Sequence, residues 1–198
     1  KPDRAISIIK IPQEDNLAAV LFEGQNIEWL NADRLQFFKT TSEVYDLIVS
    51  TSPIAAEHSK TSFNLDGNQV DIDDNYGSLI LLESCARLSP DGVGIFFVSR
   101  DFLSNKGTLS VRQNLNKLGL YLQAALYLDP KIFHPFTSIK DSYLVFITKT
   151  SSDHMFVGSL SKDPEQNKSL IQNLKNRKSG KEPPLGAFTT TNNFIGYQ

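Results

Sequence analysis

Val44-Tyr45-Asp46-Leu47-Ile48-Val49-Ser50-Thr51-Ser52-Pro53-Ile54 decides how the rest of this chain is read. An acidic residue enters a short apolar run, and a small polar tetrapeptide closes it. A strand of this kind delivers a loop to the carboxyl edge of an open α/β sheet, the edge at which such sheets bind ligands. The preceding segments alternate accordingly. Ala5–Ile11 is a β-branched run stopped by Pro12 and reads as a buried strand. Gln13–Glu23 places Leu17, Val20 and Leu21 at helical spacing ahead of Gly24. Asn26–Leu30 is a second strand, ended by Asn31-Ala32-Asp33, and Leu35–Phe38 forms a short helical turn.

Downstream, Ser52–Asp74 is polar and shows neither the helical nor the strand period. It reads as a long loop, and such loops are usually functional or disordered. Asn75–Leu88 reads as a helix with Leu79, Leu82, Cys85 and Ala86 inward, stopped by Ser89-Pro90-Asp91-Gly92. Val93–Ser99 is a continuous apolar strand of the type covered on both faces. Thr108–Leu118 is an amphipathic helix ended by Gly119, and Leu120–Leu128 and Asp141–Lys149 are strands. Only Asp129–Lys140 separates those last two, too little for a helical crossover, so they are expected to be antiparallel neighbours at the edge of a mostly parallel sheet. The fold class is therefore α/β. Residues 1–150 form the main domain. Residues 151–198 change character, with a helix at Pro164–Arg177 and then a polar tail, and read as an appendage or linker.

The 198 residues are 40% apolar and 21% charged, enough for a sizeable core without disulfides or metals. The lone Cys85 excludes an internal disulfide and a cysteine zinc site, and it fits an intracellular, cytoplasmic location. A formal charge of −2 argues against autonomous nucleic-acid binding by the chain as a whole. No apolar run reaches the roughly 20 residues that span a bilayer. The opening Lys1-Pro2-Asp3-Arg4 reads as the start of an excised piece. His58, His134 and His154 lack ligand spacing, so no metal is expected. Asp71, Asp73 and Asp74 read as caps of the following helix rather than Ca²⁺ ligands. The cluster Lys175, Arg177, Lys178 and Lys181 is open to two readings, a solvated linker or a contact for phosphates.

Four segments together resemble adenine-specific DNA methyltransferases, most closely the methylase subunits of type I restriction–modification systems. Tyr45–Ile54 is similar to their strand and Asn-Pro-Pro-Phe loop. Leu81–Gly94 is similar to their helix, Pro-Gly-Gly-type turn and next strand. Gly119–Ile147 is similar to their last two strands, with a Phe-x-x-x-x-x-Ile-Lys-x-Ser pattern from Phe133 to Ser142. Phe194-Ile195-Gly196-Tyr197 resembles the junction into a target-recognition region. The resemblance implies a Rossmann-like class I methyltransferase fold whose cofactor is S-adenosylmethionine. It implies DNA as a partner, reached through a separate recognition region or subunit, and other protein subunits, with no membrane.

In the family, a Gly-rich turn admits the cofactor and an acidic residue binds its ribose. An Asp faces its adenine, and the Asn-Pro-Pro-aromatic loop holds the flipped target base. This sequence departs from that pattern. No Gly-rich turn precedes Tyr45, so the N-terminal part of the fold is expected to be missing or replaced. The ribose-binding position falls on or near Lys10, and lysine cannot accept hydrogen bonds; Glu14 or Asp15, on the following helix, are the acidic residues that could substitute. Asp33 keeps the adenine-facing match, although an Asp after a strand also serves as a turn or helix cap. In the catalytic loop Thr51 stands for Asn, Ser52 for the first Pro, Pro53 is kept, and Ile54 replaces the aromatic ring. Phe133 and Phe136 are either core residues or base-stacking rings. Two functions follow. One is a degenerate methyltransferase-like domain with a structural or interaction role. The other is an active adenine methyltransferase whose cofactor-binding first strand lies outside this chain.

Overall fold

The computed structural model describes residues 5–9, 27–51, 58–65, 68–104, 109–130 and 141–191. They fall into two compact units, Lys1–Ser42 and Glu43–Gln198. In the first unit, strand β1 (Ala5–Ile9) pairs in parallel with β2 (Ile27–Asn31). Helix α1 (Arg34–Thr40) follows and buries Leu35 and Phe38. The helix expected at residues 13–23 lies outside the described residues.

The second unit is built on a six-stranded sheet in the order β10-β9-β7-β8-β6-β3. Its strands are β3 (Tyr45–Thr51), β6 (Leu88–Ser99), β7 (Tyr121–Leu128), β8 (Ser142–Thr148), β9 (His154–Leu160) and β10 (Ala187–Thr190). β3 and β6 run parallel, and β8 lies antiparallel between β6 and β7. β7 and β8 are thus the antiparallel neighbours that their short connection requires. They are not the sheet's edge, however, and the sheet is mixed rather than mostly parallel. Residues 151–198 add β9, parallel to β7, and β10, antiparallel to β9. Helix α5 (Pro164–Lys175) connects those two strands. Asp163 caps it, its Oδ1 accepting from the Glu165 amide at 2.9 Å with Pro164 at the first helical position.

Residues paired across strands share a face. On one face Phe156, Ala124 and Leu126 pack with Leu170 of α5, joined by Leu144, Phe146, Leu174 and Phe188. The same face continues through Ile95 to Val49, because Phe146 pairs with Ile95 and Ile95 with Val49. There the cover ends: Leu47 and Val49 are 59% and 68% exposed. Among the described residues β3 is an edge strand of this sheet.

The opposite face carries helix α2 (Tyr76–Ala86), whose Cys85 Sγ sits over Gly94. Gly77 to Cys85 are all buried. The expected one-sided helix is therefore corrected to one buried all round, with only its last residue, Ala86, exposed. Segment 52–74 supplies part of the cover. Where a structureless loop was expected, β4 (His58–Leu65) and β5 (Asn68–Asn75) form a full antiparallel hairpin packed on α2. Helix α4 (Leu109–Lys117) also packs on α2. It ends at Gly119, whose φ of 68° needs no Cβ.

Candidate functional site

The carboxyl ends of β3 and β6 lie side by side, with Thr51 in register with Phe97. The amino end of β8 meets them there, because Ser99 pairs with Ser142. Thr51 is exposed at the end of β3. Helix α3 (Arg100–Ser104) begins at this edge, and the Arg100 amide donates to the Asp141 carbonyl at 2.8 Å. The Arg100 guanidinium stands 3.7 Å from Asp141 Oδ2. Asp141 has φ 51°, a left-handed conformation that aspartate tolerates better than most residues. Ser142 is buried and its Oγ meets no hydrogen-bond partner among the described residues. Burial, followed by the nearby Asp141 carboxylate, pushes the Tyr127 phenol above its ordinary value.

Of the residues singled out from sequence, Thr51 alone is placed at this edge among the described ones. Ser52, Pro53 and Ile54 lie outside them, as do Lys10, Phe133 and Phe136. Asp33 belongs to the first unit, where it caps α1: its Oδ1 accepts from the Gln36 amide at 2.9 Å. Asp71 and Asp73, expected as caps, lie in β5 and serve the hairpin instead. Asp71 Oδ1 accepts from Ser62 Oγ at 2.6 Å, and Asp73 stands 3.5 Å from Lys60 Nζ. The hydrogen bond from Ser62, followed by one from Gln69 Nε2 at 3.1 Å, holds the Asp71 carboxyl below its ordinary range. Among the described residues no three His, Cys, Asp or Glu side chains cluster as a metal site.

Solved structures superpose on most of this chain. A chain of a type I restriction–modification system superposes with a TM-score of 0.69 and 14% identity, over 98% of this chain and 46% of that one. The methyltransferase subunit of such a system from Streptococcus thermophilus gives 0.64 and 16%, over 84% and 39%. A Listeria monocytogenes protein assigned to the class I S-adenosylmethionine-dependent methyltransferases gives 0.62 and 16%, over 87% and 55%. This is the class I methyltransferase fold. The chain spans less than half the length of the two restriction–modification proteins it matches. No family profile and no curated protein sequence matches it. No helix among the described residues is long and apolar enough to cross a membrane.

A group of residues that sequence reasoning missed stiffens this methyltransferase fold beside the candidate edge. Thr61 Oγ1 of β4 donates to Glu83 Oε1 of α2 at 2.7 Å, and both are buried. Arg112 of α4 is buried with Asp74 of β5 nearby, and its Nη1 donates to the Phe102 carbonyl at 2.7 Å. Burial lowers the pKa of Arg112 and the Asp74 charge raises it, so the carboxylate offsets part of the cost of a buried guanidinium. The signal available in the sequence was Asp66-Gly67 between the two hairpin runs, a dipeptide typical of tight turns.

Proposed function

We propose that this chain is a degenerate adenine-DNA-methyltransferase-like module of restriction–modification type, with a structural or interaction role. The observation that carries the reading is Thr51 at the end of β3. The family places a carboxamide at that strand end, with two prolines and a ring beyond it. A carboxamide offers the target amino group a fixed carbonyl acceptor. A threonine hydroxyl is a shorter, rotating group that donates as readily as it accepts. Ile54 has no π-face on which to stack a flipped purine. Positioning and electrostatics carry this kind of chemistry, so losing both the acceptor and the stacking ring removes most of what the protein contributes.

The residues matched to S-adenosylmethionine fit it poorly. Lys10 offers a donor where the ribose hydroxyls need an acceptor, and one carboxylate oxygen of Asp33 is occupied by the cap of α1. Isothermal titration of the folded chain with S-adenosylmethionine tests the reading. The expected outcome is no heat of binding up to millimolar ligand. A dissociation constant near 1 μM, about −8 kcal/mol, would revive an active site.

A further inference from the structure

We propose that the carboxyl end of α5 is a docking surface for the phosphate backbone of double-stranded DNA. Lys175, Arg177, Lys178 and Lys181 put four of the chain's 20 basic residues into seven positions that hold no carboxylate. All four are exposed. Helix-dipole compensation accounts for Lys175 in the last turn and not for the others, which lie beyond the cap Asn176, because the dipole's influence falls off within that turn.

The segment is built rather than trailing. The Arg177 amide donates to the Leu174 carbonyl at 3.2 Å and the Lys178 amide to the Asn173 carbonyl at 3.0 Å, a complete Schellman cap. The Gly180 amide donates to the Gly186 carbonyl at 2.8 Å, and the Phe188 amide to Ser179 Oγ at 3.3 Å. Arg177 occupies the left-handed position of the cap at φ 52°, where glycine is the ordinary residue and a Cβ costs backbone energy. Its guanidinium lies 5.9 Å over the Phe188 ring, which fixes its direction while leaving the side chain exposed. The Arg177 guanidinium donates to Ser152 Oγ at 3.4 Å, and none of the four cations forms an ion pair among the described residues. A charged side chain held at a strained position with a neutral partner is arranged for an external anion. Asn176 and Ser179 supply the neutral polar groups that accompany Lys and Arg at phosphates. The run from Lys175 to Lys181 holds no apolar side chain to insert into a bilayer, which disfavours a lipid surface.

The surface deepens the interaction role proposed above. Its test is separable from that proposal, because binding is read without any cofactor. Fluorescence anisotropy of a labelled duplex with the full chain should show affinity falling on the order of 100-fold between 50 and 200 mM salt, the slope of about −3.6 expected for four phosphate contacts. Lys175→Gln/Lys178→Gln/Lys181→Gln should flatten that slope by about 2.7, whereas Lys117→Gln/Lys162→Gln should leave it unchanged. Arg177→Gly should weaken binding several-fold with an equal or higher melting temperature, a combination that a merely structural arginine would not produce. The proposal is overturned by equal losses in the cluster and control variants, by no salt-dependent binding at 50 mM, or by phosphatidylserine vesicles displacing the duplex. A lowered melting temperature with unchanged binding in Arg177→Gly would overturn it equally.

Discussion

Phe156→Ala is expected to lower the unfolding free energy by about 3–5 kcal/mol, the range for deleting a large buried aromatic. Phe156 is 0% exposed and packs with Ala124, Leu126 and Leu170. Its ring meets that of Phe188 edge-on at 5.1 Å. Gly186 lies so close that a Cβ there would fall 2.1 Å from the Phe156 ring. The residue therefore joins β9, α5 and β10 to the central strands. Urea titration followed by far-UV circular dichroism measures the effect. A loss below about 1 kcal/mol would mean that residues 151–198 are peripheral to the domain rather than part of its sheet.

Arg112→Ala is the second large effect, at about 3–5 kcal/mol, because it removes a buried guanidinium that hydrogen-bonds the Phe102 carbonyl and lies in the field of the buried Asp74 carboxylate. Asp74 is 1% exposed and Arg112 4%. Removing both charges together, as Asp74→Asn/Arg112→Met, is expected to cost less than the sum of the single changes, with a coupling of about 0.5–3 kcal/mol. Additive losses in the same titration would show that the two groups do not act as a pair.

The polar interior that makes Arg112 sensitive also explains what the sequence concealed. β4 and β5 alternate in burial as strands should: Thr61 is inward and Ser62 outward, Ile72 and Asp74 inward and Asp71 and Asp73 outward. Apolar residues alternate only briefly, at Phe63 and Leu65 and at Val70 and Ile72, and the inward Thr61 and Asp74 are polar, so the period-two pattern is too short to mark two strands. α2 was recognisable as a helix, yet its polar Ser78, Glu83 and Ser84 are buried, so its amphipathic reading marked too narrow a face. β3, β6 and β8 are plain because their interiors are apolar and β-branched, and β7 because its interior is apolar and flanked by tyrosines. β9 and β10 are not, because Gly158, Ser159 and the threonines of 189–190 dilute the pattern.

At the candidate site Thr51 is the exposed last residue of β3, in register with Phe97. Asp33, matched to a cofactor contact, turned out to hold the start of α1. A short carboxylate after a strand serves either purpose, and sequence alone does not separate them.

The most direct test is transfer of a labelled methyl group from S-adenosylmethionine to adenine in duplex DNA by this protein. A degenerate loop predicts no label above background, and no change when Thr51 is replaced by valine, which keeps the shape and removes the hydroxyl. Turnover that disappears in Thr51→Val would contradict it, because the hydroxyl would then be doing the work assigned to a carboxamide.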